Sequence, residues 1–132
     1  MVKHFLNDDG IKGKPVSDAD IKKAEKELGL RFSKEYIYFL KTYGWVSTKY
    51  GEEFLGIKPN NEGNDLIKIT KEYRKEYAFL KKNLYVIQDT MANDGYISLQ
   101  DSSGTIFSLR DGNDYVNRFA SNLSDYFSKM MY

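Results

Sequence analysis

Apolar positions recur along this chain in two periods, and the change from one to the other lays out the fold. In "VSDADIKKAEKELGL", Ile21, Ala24 and Leu28 fall at i, i+3 and i+7. Ser17 precedes them as a cap with Asp20 three residues on, and Gly29 follows as a stop, so a short amphipathic helix is predicted. "FSKEYIYFLKTYG" repeats the device with Ser33 as cap, Tyr36, Phe39, Leu40 and Tyr43 on one face, and Gly44 as stop. Two helices about four residues apart predict a helical hairpin. After Gly44 the texture changes: "WVSTKYGEEFLGI" mixes β-branched and aromatic residues around Gly51, which predicts two short strands. "KPNNEGND" is a loop by composition. Ile69, Tyr73 and Tyr77 restore helical spacing, with Thr70 as candidate cap.

"NLYVIQD" is then an apolar run of strand length, and "GYISLQDSSGTIFSL" reads as a hairpin. In it Tyr96, Ser98 and Gln100 alternate with Ile97 and Leu99, and Thr105, Phe107 and Leu109 with Ile106 and Ser108. "RDGND" is a further turn, and Leu123, Tyr126, Phe127 and Met130 place a closing helix under Ser121 as candidate cap. Strands gathered in hairpins, rather than alternating singly with helices, predict an α+β domain with a mainly antiparallel sheet packed against helices.

Composition narrows the chemistry. At 132 residues one domain is expected over 1–132. No cysteine is present, so disulfides, thiolate metal sites and cysteine nucleophiles are excluded, which fits a reducing compartment. No window approaches the roughly 20 apolar residues of a membrane span, nor a signal-peptide core, and a cytoplasmic protein is expected. The sole histidine, His4, lies in the N-terminal extension 1–16 and supplies neither a triad nor a two-histidine metal site. No phosphate-cradling loop or dinucleotide fingerprint occurs. No catalytic residue, metal or cofactor is assigned.

Twenty basic and nineteen acidic residues leave a net charge of +1, but they are segregated. Residues 66–88 hold six basic and two acidic side chains, while 89–114 hold one and five. The acids of the second block are Asp89, Asp94, Asp101, Asp111 and Asp114. As a calcium loop the block fails, because counting from Asp89 the third position is Met91 and the sixth Asp94. Turn chemistry is the plain reading, since aspartate side chains bond their own backbone in turns. The aromatic interleaving of "KITKEYRKEYAFLKK" superficially suggests single-stranded nucleic acid. Its tyrosines share one helix face, however, which favours packing with phenolic tips at the surface.

The order of these motifs resembles the SUKH superfamily, the Smi/Knr cell-wall-assembly-regulator-like domains. The resemblance is carried by "ADIKKAEKELGLRFSKEYIYFLKTYGW", "FLGI", Thr70 with Arg74, "LYVIQDTMANDGYISLQ" and "FASNLSDYF", roughly residues 17 to 130. Ser33 stands where the family usually has proline, and Tyr43 and Trp45 flank Gly44 where a second glycine or asparagine is frequent. The resemblance implies a non-enzymatic bacterial immunity protein that binds and neutralises a toxin domain, frequently a nuclease. A monomer or weak dimer is expected, without direct nucleic-acid or membrane contact. A regulatory scaffold domain and a carboxylate-based hydrolase are the alternatives.

With that implication the aspartates gain another reading. Nuclease clefts are basic, so carboxylates on a rigid hairpin can occupy that field in place of phosphate. The candidate partner-binding residues are therefore Asp89, Asp94, Asp101, Asp111 and Asp114 with Tyr96 as a packing anchor, and Trp45 and Tyr50 as further aromatic anchors.

Overall fold

Seven short strands follow one another across a single antiparallel sheet in the order in which they occur in the chain. The computed structural model describes residues 11–48, 52–90 and 95–130, and of Met130 only the backbone. β1 (Ile11–Lys12) precedes α1 (Asp18–Leu28) and α2 (Lys34–Thr42). β2 (Val46–Ser47) and β3 (Glu53–Phe54) come next, then a 3-10 turn (Pro59–Asn61) and α3 (Leu66–Glu76). β4 (Tyr85–Asp89), β5 (Tyr96–Gln100), β6 (Ile106–Arg110) and β7 (Asn117–Ala120) lead to α4 (Leu123–Met130). The fold is α+β, as the pattern predicts.

The first two helices start and stop where their caps dictate. Ser17 Oγ accepts from the Asp20 N–H, and Ser33 Oγ from the Tyr36 N–H. Gly29 closes α1 in the left-handed region at φ 66°, where an L side chain is strained. Two other caps differ from expectation. Thr70 is not a cap: it is buried inside α3, and its hydroxyl accepts from the Val86 N–H at 3.1 Å, tying the helix to β4. The cap is Asp65, whose carboxylate accepts from the Ile67 and Lys68 N–H groups. At α4 the cap is Asn122, whose Oδ1 accepts from the Asp125 N–H at 2.8 Å, while the Ser121 hydroxyl accepts instead from Arg118. β1 and β7 have no counterpart in the sequence prediction.

Both faces of the central strands are covered. On one face Tyr85, Gln88, Ser98 and Gln100 meet α2 and α4: the Tyr36 and Tyr85 rings lie 5.0 Å apart, and the Tyr126 hydroxyl is hydrogen-bonded to Gln88 and Ser98. Ile97, Leu99 and Leu109, which alternate with these positions, are buried as well. Leu40, Val46, Leu66 and Ile106 complete an apolar centre with no measurable exposure. Each such side chain contributes roughly 1.5–3 kcal/mol.

Because polar groups buried in such a centre must bond one another, one end of this face holds a closed network. The Tyr85 hydroxyl donates to Gln100 Oε1 at 2.7 Å and accepts from the Ser33 N–H at 3.0 Å. Gln100 Nε2 donates to Glu35 Oε1 at 2.8 Å, and the same oxygen accepts from the Leu123 N–H at 2.8 Å. Glu35 thus joins α2, the β5–β6 hairpin and the start of α4. Burial raises the Glu35 pKa above its ordinary 4.5, opposed by the Leu123 and Gln100 hydrogen bonds. The folded protein therefore binds more protons than the unfolded chain in the window just above that value. Glu35 then destabilises the fold at neutral pH relative to acid, and that penalty fades as pH falls through the folded pKa. Urea midpoints of the parent and Glu35→Gln, compared at neutral pH and near 4.5, should show the parent gaining on the variant at the lower pH. A difference independent of pH would assign Glu35 a purely geometric role.

Candidate partner-binding surface

The antiparallel register decides which candidate residues meet. Asp89 at the end of β4 pairs with Ile97, and Tyr96 at the start of β5 pairs with Arg110 at the end of β6. Asp89, Tyr96, Arg110 and Asp111 consequently gather at one end of the sheet. The turn is anchored there by the Asp111 N–H, which donates to Gly95 O at 3.0 Å. Asp114 and the 54% exposed Tyr115 continue the same turn outward.

Helix α3 reaches this end with two tyrosines one turn apart. The Tyr73 hydroxyl donates to Asp89 Oδ2 and the Tyr77 hydroxyl to Asp111 Oδ1, each at 3.0 Å. Their rings stack at 6.0 Å, and Phe79, 41% exposed, meets the Tyr77 ring edge-on at 6.1 Å. Across the hairpin the Arg110 guanidinium lies 5.8 Å from the Tyr96 ring. Desolvation is the main reason the Tyr73 hydroxyl is pushed well above the usual tyrosine range, with the Asp89 charge adding to it. Tyr77 is raised in the same direction by desolvation and then by its bond to Asp111. Both hydroxyls therefore remain protonated donors at physiological pH, and each fixes a carboxylate in position at the surface.

This arrangement separates the candidate aspartates. Asp101 lies at the opposite end of the β5–β6 hairpin, where its Oδ1 accepts from the Ser103 N–H at 3.0 Å and the Ser103 hydroxyl at 2.6 Å. It is an Asx turn. Asp89 and Asp111 are different, because tyrosines from a separate helix hold them. Trp45 lies elsewhere again, half-buried in a cleft at the β1–β2 edge of the sheet. Asp94, Tyr50 and His4 lie outside the described residues.

Tyr73, Tyr77 and Phe79 were missed as members of the site. Their i, i+4 spacing marked a packed face with surface hydroxyls, which is what they form, but their acceptors sit 16 and 34 residues further on and emerge only with the strand register. Arg74, on the same helix, donates to Leu28 O at 2.9 Å and Lys82 O at 2.5 Å, so it locks α1 and the α3–β4 loop together rather than facing a partner.

Among the described residues, no group of three Asp, Glu or His side chains is placed to hold a metal ion. No helix among them is long and apolar enough to cross a membrane. Among the described residues, this end of the sheet brings together the Asp89 and Asp111 carboxylates, the Tyr73, Tyr77, Phe79 and Tyr96 rings and the Arg110 guanidinium. Comparison with curated proteins returns no match. The family model of the SMI1 / KNR4 family (SUKH-1) matches residues 15–129, and the chain belongs to that family.

Proposed function

We propose that this chain is an immunity protein that binds and neutralises the toxin domain of a bacterial polymorphic or contact-dependent toxin, with a nuclease as the favoured target. It acts without catalysis, in the cytoplasm, through the acidic end of its sheet. One observation carries the reading: Asp89 and Asp111 are held by Tyr73 and Tyr77 beside exposed aromatic surface. A nuclease cleft is basic because it holds phosphates, and pre-positioned carboxylates fit that field with little ordering left to do on binding. The aromatic rings beside them supply the apolar contact that charge alone lacks.

Capture has to be fast as well as tight. Opposite-charge steering raises association toward roughly 10⁸ to 10⁹ per molar per second at low salt. A chain that segregates its charge at a net of +1 gains that steering without general stickiness.

The test is co-expression with the C-terminal domain of a toxin encoded beside the gene, scored by survival and by a complex on size exclusion. Rescue is expected, and Asp89→Lys with Asp111→Lys should weaken the complex by about 100-fold or more, chiefly through slower association. Reversal at Lys75 and Lys81, both exposed, is the matched control and should leave rescue intact. Reversal at Arg74 would not serve, because it removes a structural tie. A neighbour that is harmless alone, or lethal in the presence of this chain, would favour a regulatory protein-binding role instead.

A further inference from the structure

A second charged surface lies at the β1–β2 edge of the sheet and plays no part in the acidic site. The chain before α1 and the loop after β3 enclose a cleft of about 710 Å³, within the range of roughly 300–1,000 Å³ usual for ligand sites. Among the described residues, Trp45 lines it together with Lys12, Lys14, Lys23 and Lys58, against two acids, Asp20 and Glu27. The Glu27 carboxylate is already engaged by Lys71 at 2.5 Å, and the Lys58 ammonium lies 4.4 Å from the centre of the Trp45 ring and 3.2 Å from Glu53.

The cleft is pre-formed. The Gly13 N–H donates to Trp45 O at 2.8 Å, and a methyl group at Gly13 would overlap the indole, so glycine is what lets the strand lie against the ring. The opposite wall is fixed through Asp65, which accepts from the Lys58 N–H at 2.8 Å and from Asn61 Nδ2 at 3.2 Å.

We infer that this cleft binds an acidic peptide segment of a partner protein, with carboxylates against Lys14 and Lys23 and an apolar side chain against Trp45, while the Lys12 ammonium is engaged 5.3 Å from the Tyr43 ring. The excess of ammonium groups calls for an anion. Phosphate sites are commonly built on clustered free backbone amides. Among the described residues that line the cleft, the Gly13 amide is occupied by Trp45 O. Lysines spaced around an aromatic face match carboxylates spaced along a peptide.

Trp45 is the only tryptophan in the chain, so its emission reports occupancy of this cleft directly. Titration of the purified protein with hexaglutamate at low salt should shift that emission saturably. Lys14→Glu with Lys23→Glu should weaken the response about tenfold or more, while Lys81→Glu with Lys82→Glu, away from the cleft, should change it less than about twofold. Should the cleft pair unfold, Lys23→Gln alone on the exposed face of α1 should still weaken it about threefold. No saturable shift, equal weakening by both pairs, or tighter binding of hexathymidylate than of hexaglutamate would overturn the inference, the last by making the cleft a phosphate site. The titration uses no toxin, so its failure leaves the acidic-end reading standing.

Discussion

Gly56→Ala should prevent this chain from folding, or leave it so unstable that it is recovered only as aggregate. Three stretches of backbone cross beneath the cleft. A methyl group at Gly56 would overlap the carbonyl oxygen of Gly44, and one at Gly44, itself in the left-handed region at φ 76°, would overlap the carbonyl oxygen of Lys14. The obstacle in both cases is backbone, which has no alternative rotamer to adopt. Relief would require moving the segment after β3 away from the α2–β2 connection, and with it the bond from the Leu66 N–H to Gly56 O at 2.8 Å that seats α3. Overpacking a core with flexible side chains costs about 1–3 kcal/mol. Backbone overlap belongs at the severe end of single substitutions, on the order of 4–5 kcal/mol or more, against the roughly 5–15 kcal/mol that holds a domain together. Soluble yield and circular dichroism give the readout. Gly29→Ala serves as comparison, because nothing lies within 4 Å of its added methyl group and only the strain at φ 66° opposes it, about 1 kcal/mol. If Gly56→Ala proves as mild as Gly29→Ala, the three-segment crossing is not what fixes the fold.

That crossing shows where sequence reasoning stops. Gly44 was legible as a helix stop because the signal is local: an apolar face ends and a glycine follows. Gly56 carries no local signal of its kind, since its neighbours read simply as the end of a strand, and its requirement comes from a segment twelve residues earlier. The same limit separates the strands. β5 and β6 were legible through alternation and the glycine of their turn, whereas β1 and β7 are short, largely exposed, and exist because a neighbouring strand is there to pair with them. The acidic site divides in the same way. The residue types and their crowding into 89–114 were visible, but the parting of Asp101 from Asp89 and Asp111 depends on hairpin register. The two tyrosines depend on where α3 crosses β4.

Helix caps give the sharpest version of this limit, and the second large effect follows from it. Thr70 and Asp65 are both acceptable caps by residue type. The helix begins at Leu66 because Asp65 can be satisfied there and Thr70 is needed by Val86. Asp65 is fully buried, and its two carboxylate oxygens accept from four donors: the Lys58, Ile67 and Lys68 N–H groups and the Asn61 side chain. Asp65→Ala removes a cap worth about 1 kcal/mol, strands the buried Ile67 amide at about 1–3 kcal/mol, and releases the part-buried Lys58 amide at a smaller cost. A total loss of about 3–4 kcal/mol is expected, seen as a lower urea midpoint with an unchanged slope. Asp65→Asn keeps one oxygen for the helix amides but turns an N–H₂ toward the Lys58 N–H or the helix, so a smaller loss of about 2 kcal/mol is expected. Thr70→Val tests the competing assignment: it should leave the start of α3 intact and release only the Val86 amide, at about 1–2 kcal/mol. Because Asp65 also holds Lys58 and Asn61 at the wall of the Trp45 cleft, Asp65→Asn should weaken the hexaglutamate response even under conditions where the domain remains folded. A larger loss from Thr70→Val than from Asp65→Ala would mean that α3 is anchored through the sheet, with its N-terminus free to fray.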